Sequence, residues 1–200
     1  PQAMQVFVDD ALAILDHLSV SDAHIYGQSF GGMVALELVL EAPERVRTLI
    51  LAATHAGGAS VRPPRIRTPK AEASRVIFSP DYVLAHPEGV RELFTHGVPQ
   101  QSHASRRQWE AMQSYDVADR LASISPPCLV LHGSSDRVID VDNAVFLAEK
   151  IPGAELVILG TFDVPERRYA AGTAYLRGQG RGRVGAVHGV DELQRQVPIY

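Results

Sequence analysis

The chain has little that would support several large classes of function. Its one cysteine, Cys128, excludes an internal disulfide and offers no thiolate cluster for a metal ion. No apolar run approaches the roughly 18 residues that a membrane-spanning helix needs. The formal net charge of −4 gives no basic excess for nucleic acid. From these absences we expect no metal, no nucleic-acid partner and no membrane partner.

What the chain does have is the composition of a globular domain, with 46% hydrophobic and 21% charged residues in a length of 200. The first residue is Pro1, and an amphipathic helix is predicted almost at once, over residues 4–18. Nothing precedes this helix for it to pack on, so we interpret the chain as N-terminally incomplete. We expect a cytoplasmic protein.

Short apolar runs alternate with helical patterns, which is typical of a domain built on a parallel sheet. The helix after Ser29 is apolar on nearly all sides and is expected to be buried. We predict an α/β fold with a mostly parallel sheet and helices on both faces. The predicted strands are 23–26, 48–53, 128–132 and 155–159, and the helices between them are 30–41 and 141–150.

Composition divides the chain into four parts. The last part, a tail over residues 161–200, is rich in arginine and glycine and has no clear hydrophobic period, which favours disorder. An RNA-binding Arg-Gly segment is the weaker alternative, because the chain as a whole is acidic. The parts are a partial core over 1–58, an inserted helical cap over 59–125, a second core segment over 126–160 and the divergent tail over 161–200.

Within the cap, Trp109, Met112 and Tyr115 recur every three residues. A packed helix face is the favoured interpretation, and a wall that contacts substrate is the alternative. The helical patterns of the cap lie near 71–78, 88–96 and 104–115.

The most informative motif is Gly27-Gln28-Ser29-Phe30-Gly31, a G-x-S-x-G sequence between a predicted strand and a predicted helix. A serine hydroxyl is a poor nucleophile unless the backbone presents it sharply and a base takes its proton. A strand-to-helix turn with glycines two residues on either side presents it in this way. The glycines have no Cβ, so the helix can begin close to the strand. Ser29 is therefore the candidate nucleophile.

A serine nucleophile also needs a base and a carboxylate that orients the base. Asp136 is the best candidate for the acid, because it lies just past the strand 128–132, and ligands bind at the carboxyl ends of parallel strands. A solvated loop residue is the alternative for Asp136. Asp140 and Asp142 stand at the start of a helix, where N-capping explains them.

The sequence offers no clear candidate for the catalytic base. Of the eight histidines, only His188 follows Asp136, and no predicted strand leads into it. The others precede the acid, at His17, His24, His55, His86, His96, His103 and His132.

The chain resembles the α/β-hydrolase superfamily, in the capped branch that includes small esterases and the 3-oxoadipate enol-lactonases. The resemblance runs from about residue 4 to 160, over 27–33, 42–51 and 127–136 with 151–156. It implies an incomplete α/β-hydrolase fold, Ser29 as nucleophile and Asp136 as triad acid. It also implies that the backbone N–H of Phe30 is one oxyanion donor, and that neither a metal nor an organic cofactor takes part.

Two features depart from the family pattern. The strands and the first oxyanion loop that precede the motif in such proteins are absent, and the Gly-His segment expected after residue 159 is replaced by an atypical tail. A reading-frame shift near residues 159–161 is our hypothesis for the tail.

The function expected from these residues is hydrolysis of an ester or lactone bond in a small organic substrate, with a serine nucleophile. The alternative is a catalytically inactive hydrolase remnant, because the base and the first oxyanion loop are not recognisable. A binding protein that uses the cap without chemistry is a third possibility. The sequence leaves the substrate and the oligomeric state open.

Overall fold

The sheet of this computed structural model, which describes residues 2–62, 80–95, 101–134, 136–159 and 173–176, is parallel throughout. Its strands are arranged in chain order, and each pairs in parallel with the next. A simple order of this kind requires a crossover connection between successive strands. The strands are β1 (Ala23–Gln28), β2 (Val46–Ala52), β3 (Cys128–Gly133), β4 (Glu155–Leu159) and β5 (Thr173–Leu176).

Six α-helices are described, and the first, second and last of them alternate with the strands. The two between β1 and β2 and between β3 and β4 are the crossover helices of the sheet, whereas the three in the middle lie in the segment inserted between β2 and β3. The helices are α1 (Gln2–His17), α2 (Phe30–Glu41), α3 (Pro80–Ala85), α4 (Pro87–Thr95), α5 (Ser102–Gln113) and α6 (Asp142–Lys150).

The core lies between the central strands and the helices that cross over them. Leu49 and Leu51 of β2 and Val130 of β3 are almost completely buried, and burial of such a side chain contributes roughly 1.5–3 kcal/mol. Helix α2 contacts β1 and β2, and seven of its twelve residues are buried. Its nearly continuous apolar sequence is explained by this position. The prediction of a parallel α/β fold is confirmed.

Helix α1 packs against α2 and α5. Met4 and Val8 are buried in this contact region, and the ring of Phe7 meets Phe30 edge to face with centroids 4.9 Å apart. Phe30 is the first residue of α2, so this ring contact stabilises the start of that helix, close to the end of β1. None of the described helices is both long and apolar enough to cross a membrane.

Most predicted elements are observed within one or two residues of their expected bounds. Helix α3 is an exception, because no helix was predicted at its position; the helix predicted near 88–96 is observed as α4, and α3 and α4 begin at Pro80 and Pro87. The predicted cap helix at 71–78 lies outside the described residues. The domain boundaries remain predictions.

Strand β5 differs from the expectation for the tail. Disorder was expected over 161–200, but Thr173–Leu176 pairs in parallel with β4. An outer strand of a sheet presents unpaired N–H and C=O groups, and β5 pairs with those of β4. The other residues of the tail lie outside the described part of the chain.

Candidate functional site

Ser29 occupies a strained turn between the last residue of β1 and the first residue of α2. Its backbone angles are φ 52° and ψ −120°, a region that residues with a Cβ adopt rarely. Strain of this kind costs on the order of 1–3 kcal/mol and persists only where the surroundings fix it. The side chain of Ser29 is exposed.

The hydroxyl of Ser29 is not used to cap the helix that follows. Serine at an N-cap position usually accepts a hydrogen bond from the first helical turn, but Ser29 forms no such side-chain bond. Among the described residues its hydroxyl has no hydrogen-bond partner.

Glycine is required at two positions around this turn, and they are not the two that the motif suggests. A Cβ at Gly27 would lie 2.5 Å from the carbonyl oxygen of Gly31 and 2.7 Å from the Cα of Gly32. A Cβ at Gly32 would lie 2.6 Å from the Cβ of Thr54. A Cβ at Gly31 meets nothing within 4 Å, because this residue is exposed at the helix start. The expectation that Gly31 allows the close approach is therefore wrong, and Gly32 has that role.

Phe30 begins α2, so its backbone N–H belongs to the first turn of the helix, where N–H groups have no acceptor within the helix. Such groups form a favourable site for negative charge. The candidate oxyanion donor thus adjoins the hydroxyl of Ser29 along the chain.

Asp136 is fixed by its own loop, between β3 and α6. Its Oδ1 accepts hydrogen bonds from the backbone N–H groups of Val138 and Ile139, at 2.8 and 2.9 Å. This arrangement is an Asx-type turn, in which a side chain closes the loop that carries it. The other oxygen, Oδ2, lies 3.5 Å from Nε2 of His132. The carboxylate is therefore oriented and remains partly exposed.

His132 is a structural neighbour of Asp136. The ring is buried, and its Nε2 lies 2.9 Å from the carbonyl oxygen of Ile139. A carbonyl only accepts, so Nε2 carries the proton and donates it. Nδ1 is buried with no partner among the described residues. His132 thus supports the loop that carries the acid.

Ser29 follows β1 and Asp136 follows β3, so both lie at the carboxyl edge of the sheet, with β2 between them. Neighbouring strands are roughly 4.8 Å apart, which separates the two strand ends by about 10 Å. Ligands bind at this edge in open parallel sheets.

No described histidine has a ring nitrogen hydrogen-bonded to the hydroxyl of Ser29. His24 on β1 bonds to Thr48 Oγ1 at 2.7 Å. His55, just after β2, accepts a hydrogen bond at Nδ1 from the N–H of Gly57, and burial lowers its pKa below 6.5. His96 and His188 lie outside the described residues.

Trp109 and Met112 of α5, and Tyr115 just after this helix, are buried to different degrees. Tyr115 is buried and Met112 packs against the core, whereas Trp109 is 60% exposed. The packed-face interpretation is confirmed for the first two and is wrong for Trp109. Burial of the Tyr115 hydroxyl, together with the nearby Glu37, raises the pKa of Tyr115 well above the usual value.

Across the described ranges no three acidic, histidine or cysteine side chains are grouped as metal ligands.

A parallel sheet that carries a strained strand–serine–helix turn at its carboxyl edge is the architecture of the α/β hydrolases. The family model described as serine aminopeptidase, S33, matches residues 2–159, and the chain belongs to this α/β-hydrolase family. The resemblance inferred from the motifs is confirmed.

Two curated relatives are similar over most of this chain. A 2-hydroxymuconate semialdehyde hydrolase of Pseudomonas sp. (strain CF600) is 32% identical, over 78% of this chain and 60% of the relative. The 3-oxoadipate enol-lactonase 2 of Acinetobacter baylyi is 34% identical, over 75% of this chain and 60% of the relative. The chain therefore spans about three fifths of the length of these relatives.

Two solved structures also superpose on most of this chain. A hydrolase from Pseudomonas aeruginosa superposes with a TM-score of 0.66 at 27% identity, over 78% of this chain and 63% of that one. An enzyme that degrades N-acyl homoserine lactones superposes with a TM-score of 0.62 at 30% identity, over 78% of this chain and 65% of that one.

Proposed function

We propose that this protein is a serine hydrolase that cleaves an ester or lactone bond of a small organic substrate. The observation that carries the proposal is the geometry of Ser29, an exposed serine at positive φ whose hydroxyl does not cap the adjoining helix. Structural serines at helix N-termini use the hydroxyl for capping, so this position is explained better by chemistry than by stability.

In the proposed reaction Ser29 Oγ attacks the carbonyl carbon and gives its proton to a histidine, which then protonates the leaving oxygen. Asp136 orients and stabilises that histidine through its partly exposed carboxylate. The N–H of Phe30 stabilises the developing oxyanion. Water then releases the acid from Ser29 by the same steps, so the proposal needs neither a metal ion nor an organic cofactor.

The choice of ester or lactone is supported by two of the relatives, whose names describe an enol-lactonase and an enzyme that degrades N-acyl homoserine lactones. A third is named as a hydrolase of a semialdehyde. The type of bond that is cleaved is therefore proposed separately from the identity of the nucleophile. We propose no nucleic-acid or membrane partner and a cytoplasmic location.

The second candidate function is that of a catalytically inactive hydrolase remnant. The observation that favours it is the lack of a histidine hydrogen-bonded to Ser29 among the described residues. Loss of the triad histidine costs roughly 10⁶ in turnover in a serine protease, and loss of one oxyanion donor costs about 10²–10³. Under this candidate the 200-residue chain binds at most a ligand.

Turnover separates the two candidates. The purified chain is assayed with p-nitrophenyl acetate and with a short acyl lactone, beside Ser29→Ala and Ser19→Ala. Ser19 is the matched control, because it is also an exposed serine at positive φ, 54°, but precedes β1 at the opposite edge of the sheet. Hydrolysis that persists in Ser19→Ala and disappears in Ser29→Ala supports the enzyme. Equal rates in all three proteins refute it and favour the remnant.

A further inference from the structure

The strained backbone of Ser29 is held at both of its polar groups, by the last residue of β2 and by a residue just after that strand. Its N–H donates to the carbonyl oxygen of Ala52 at 2.9 Å. Its carbonyl oxygen accepts a hydrogen bond from Thr54 Oγ1 at 2.8 Å. A conformation that costs on the order of 1–3 kcal/mol requires constraints of this kind, and only the second of them comes from a side chain.

Thr54 is itself well placed for this contact. It is 1% exposed, and the chain reaches it through Ala53, which has φ 44° and donates its N–H to Leu131 of β3 at 3.1 Å. The turn at Ala53 thus takes the chain out of the β2 ladder while it is still attached to the sheet. The side chain of Thr54 is directed towards the start of α2 as a result.

The contact between Thr54 and α2 is also a close packing contact. A Cβ at Gly32 would come within 2.6–2.7 Å of three side-chain atoms of Thr54, so the glycine leaves the space that threonine fills. The same carbonyl of Ser29 accepts hydrogen bonds from the N–H groups of Gly32 and Met33, at 3.0 and 3.3 Å. Thr54 therefore contacts both the acceptor and the helical turn that shares it.

We infer that Thr54 is a positioning residue, whose buried hydroxyl holds the backbone of Ser29 in the strained conformation that presents its side chain at the carboxyl edge of the sheet. The inference rests on the proposed function of Ser29, but it concerns the backbone of the turn. It can therefore be tested in a protein with or without turnover.

The test is native-state amide hydrogen exchange, followed by NMR on the full chain. Thr54→Val keeps the shape of the side chain and removes the hydroxyl. We expect the amides of Gly32 and Met33 to exchange about threefold to tenfold faster, the range for loss of one hydrogen bond in a local opening. Thr48→Val is the matched control, a threonine of β2 whose hydroxyl bonds to His24 instead. It should leave these amides unchanged.

Two further variants keep the inference testable where valine prevents folding. Thr54→Ser and Thr54→Ala both lack the methyl group and differ in the hydroxyl alone. Serine should retain wild-type protection at Gly32 and Met33, and alanine should lose it. Equal exchange in these two variants, or in Thr54→Val and Thr48→Val, overturns the inference. Faster exchange in a chain that hydrolyses nothing supports the role of Thr54 and counts against the proposed function alone.

Discussion

The turn at Ser29 and the loop at Asp136 lie at the same edge of the sheet but are stabilised in opposite ways. Ser29 sits at positive φ, and steric exclusion around Gly27 and Gly32 leaves the chain little freedom. Asp136 is held by hydrogen bonds that its own carboxylate accepts from Val138 and Ile139. The first region depends on glycines that leave room for close backbone approach, and the second depends on hydrogen bonds to its own carboxylate.

This difference determines how each region should respond to mutation. Steric exclusion by backbone atoms cannot relax easily, so a single added methyl group should be severe at the serine turn. Hydrogen bonds to a partly exposed carboxylate are exchanged for bonds to water when they are lost, so the acid loop should respond moderately.

The largest effect is expected for Gly27→Ala. Its new methyl group would meet backbone atoms of Gly31 and Gly32 at 2.5–2.7 Å, so we expect a loss of about 3 kcal/mol or more in the free energy of unfolding, at the upper end for overpacking. Gly31→Ala is the control and should change stability by less than about 1 kcal/mol, because nothing lies within 4 Å. Urea unfolding followed by circular dichroism measures both. Similar losses in the two variants would show that the steric account of the turn is wrong.

A moderate effect is expected for Asp136→Ala, which removes the acceptor of two backbone hydrogen bonds. At about 0.5–1.5 kcal/mol each, the free energy of unfolding should fall by roughly 1–3 kcal/mol. Asp136→Asn keeps an acceptor oxygen and should fall by less than half as much, while any ester hydrolysis is lost in both. Asp10→Ala, an exposed aspartate on α1, is the control in the same urea titration. An equal loss in the alanine and asparagine variants would argue against the Asx-type turn.

A smaller effect, of opposite sign, is expected for Ser29→Gly. Glycine adopts positive φ without steric cost, which relieves roughly 1–3 kcal/mol of strain, less about 0.5–1 kcal/mol for the greater entropy of the unfolded chain. The variant should therefore melt at a higher temperature than Ser29→Ala, which keeps the Cβ. Differential scanning calorimetry compares the two. A glycine variant that melts below the alanine variant would mean that the turn is not strained.

The smallest effect concerns the pH dependence of stability and His55, which lies just after β2. Burial lowers its pKa in the folded state below 6.5, so the folded protein binds fewer protons than the unfolded one. The stability from this group is complete above pH 6.5 and is lost as the pH falls below it. The melting temperature of His55→Gln should therefore fall less steeply than that of the wild type as the pH is lowered from 7 to 5. An unchanged slope in His55→Gln would contradict the burial argument.

Much of the fold could be predicted from the sequence because the pattern of apolar residues along the chain matches the pattern of buried residues in the structure. The run from Thr48 onward in β2 and the apolar helix α2 are buried where their patterns require it. Strand β5 could not be predicted in this way, since its four residues have no period of their own and pair with an edge that β4 offers. Pairing of this kind depends on a distant strand.

In the candidate site too, local features could be predicted and contacts between distant residues could not. Ser29 and Asp136 could be named because a turn motif and a strand end are local features. Gly32 was missed because its close approach to Thr54 involves a residue 22 positions away, just after β2. Thr54 itself stands in a run with no motif, and its hydrogen bond to Ser29 is visible only in three dimensions. The Gly-Gly pair after Phe30 was the one signal that could have indicated it.

The central claim is that Ser29 is a nucleophile, and covalent labelling tests it most directly. The chain is incubated with a fluorophosphonate, digested and analysed by mass spectrometry to find the modified residue. We predict one phosphonyl adduct, on Ser29, that is absent in Ser29→Ala and retained in Ser19→Ala. No adduct at a millimolar concentration of probe, or an adduct on another serine that persists in Ser29→Ala, would contradict the claim.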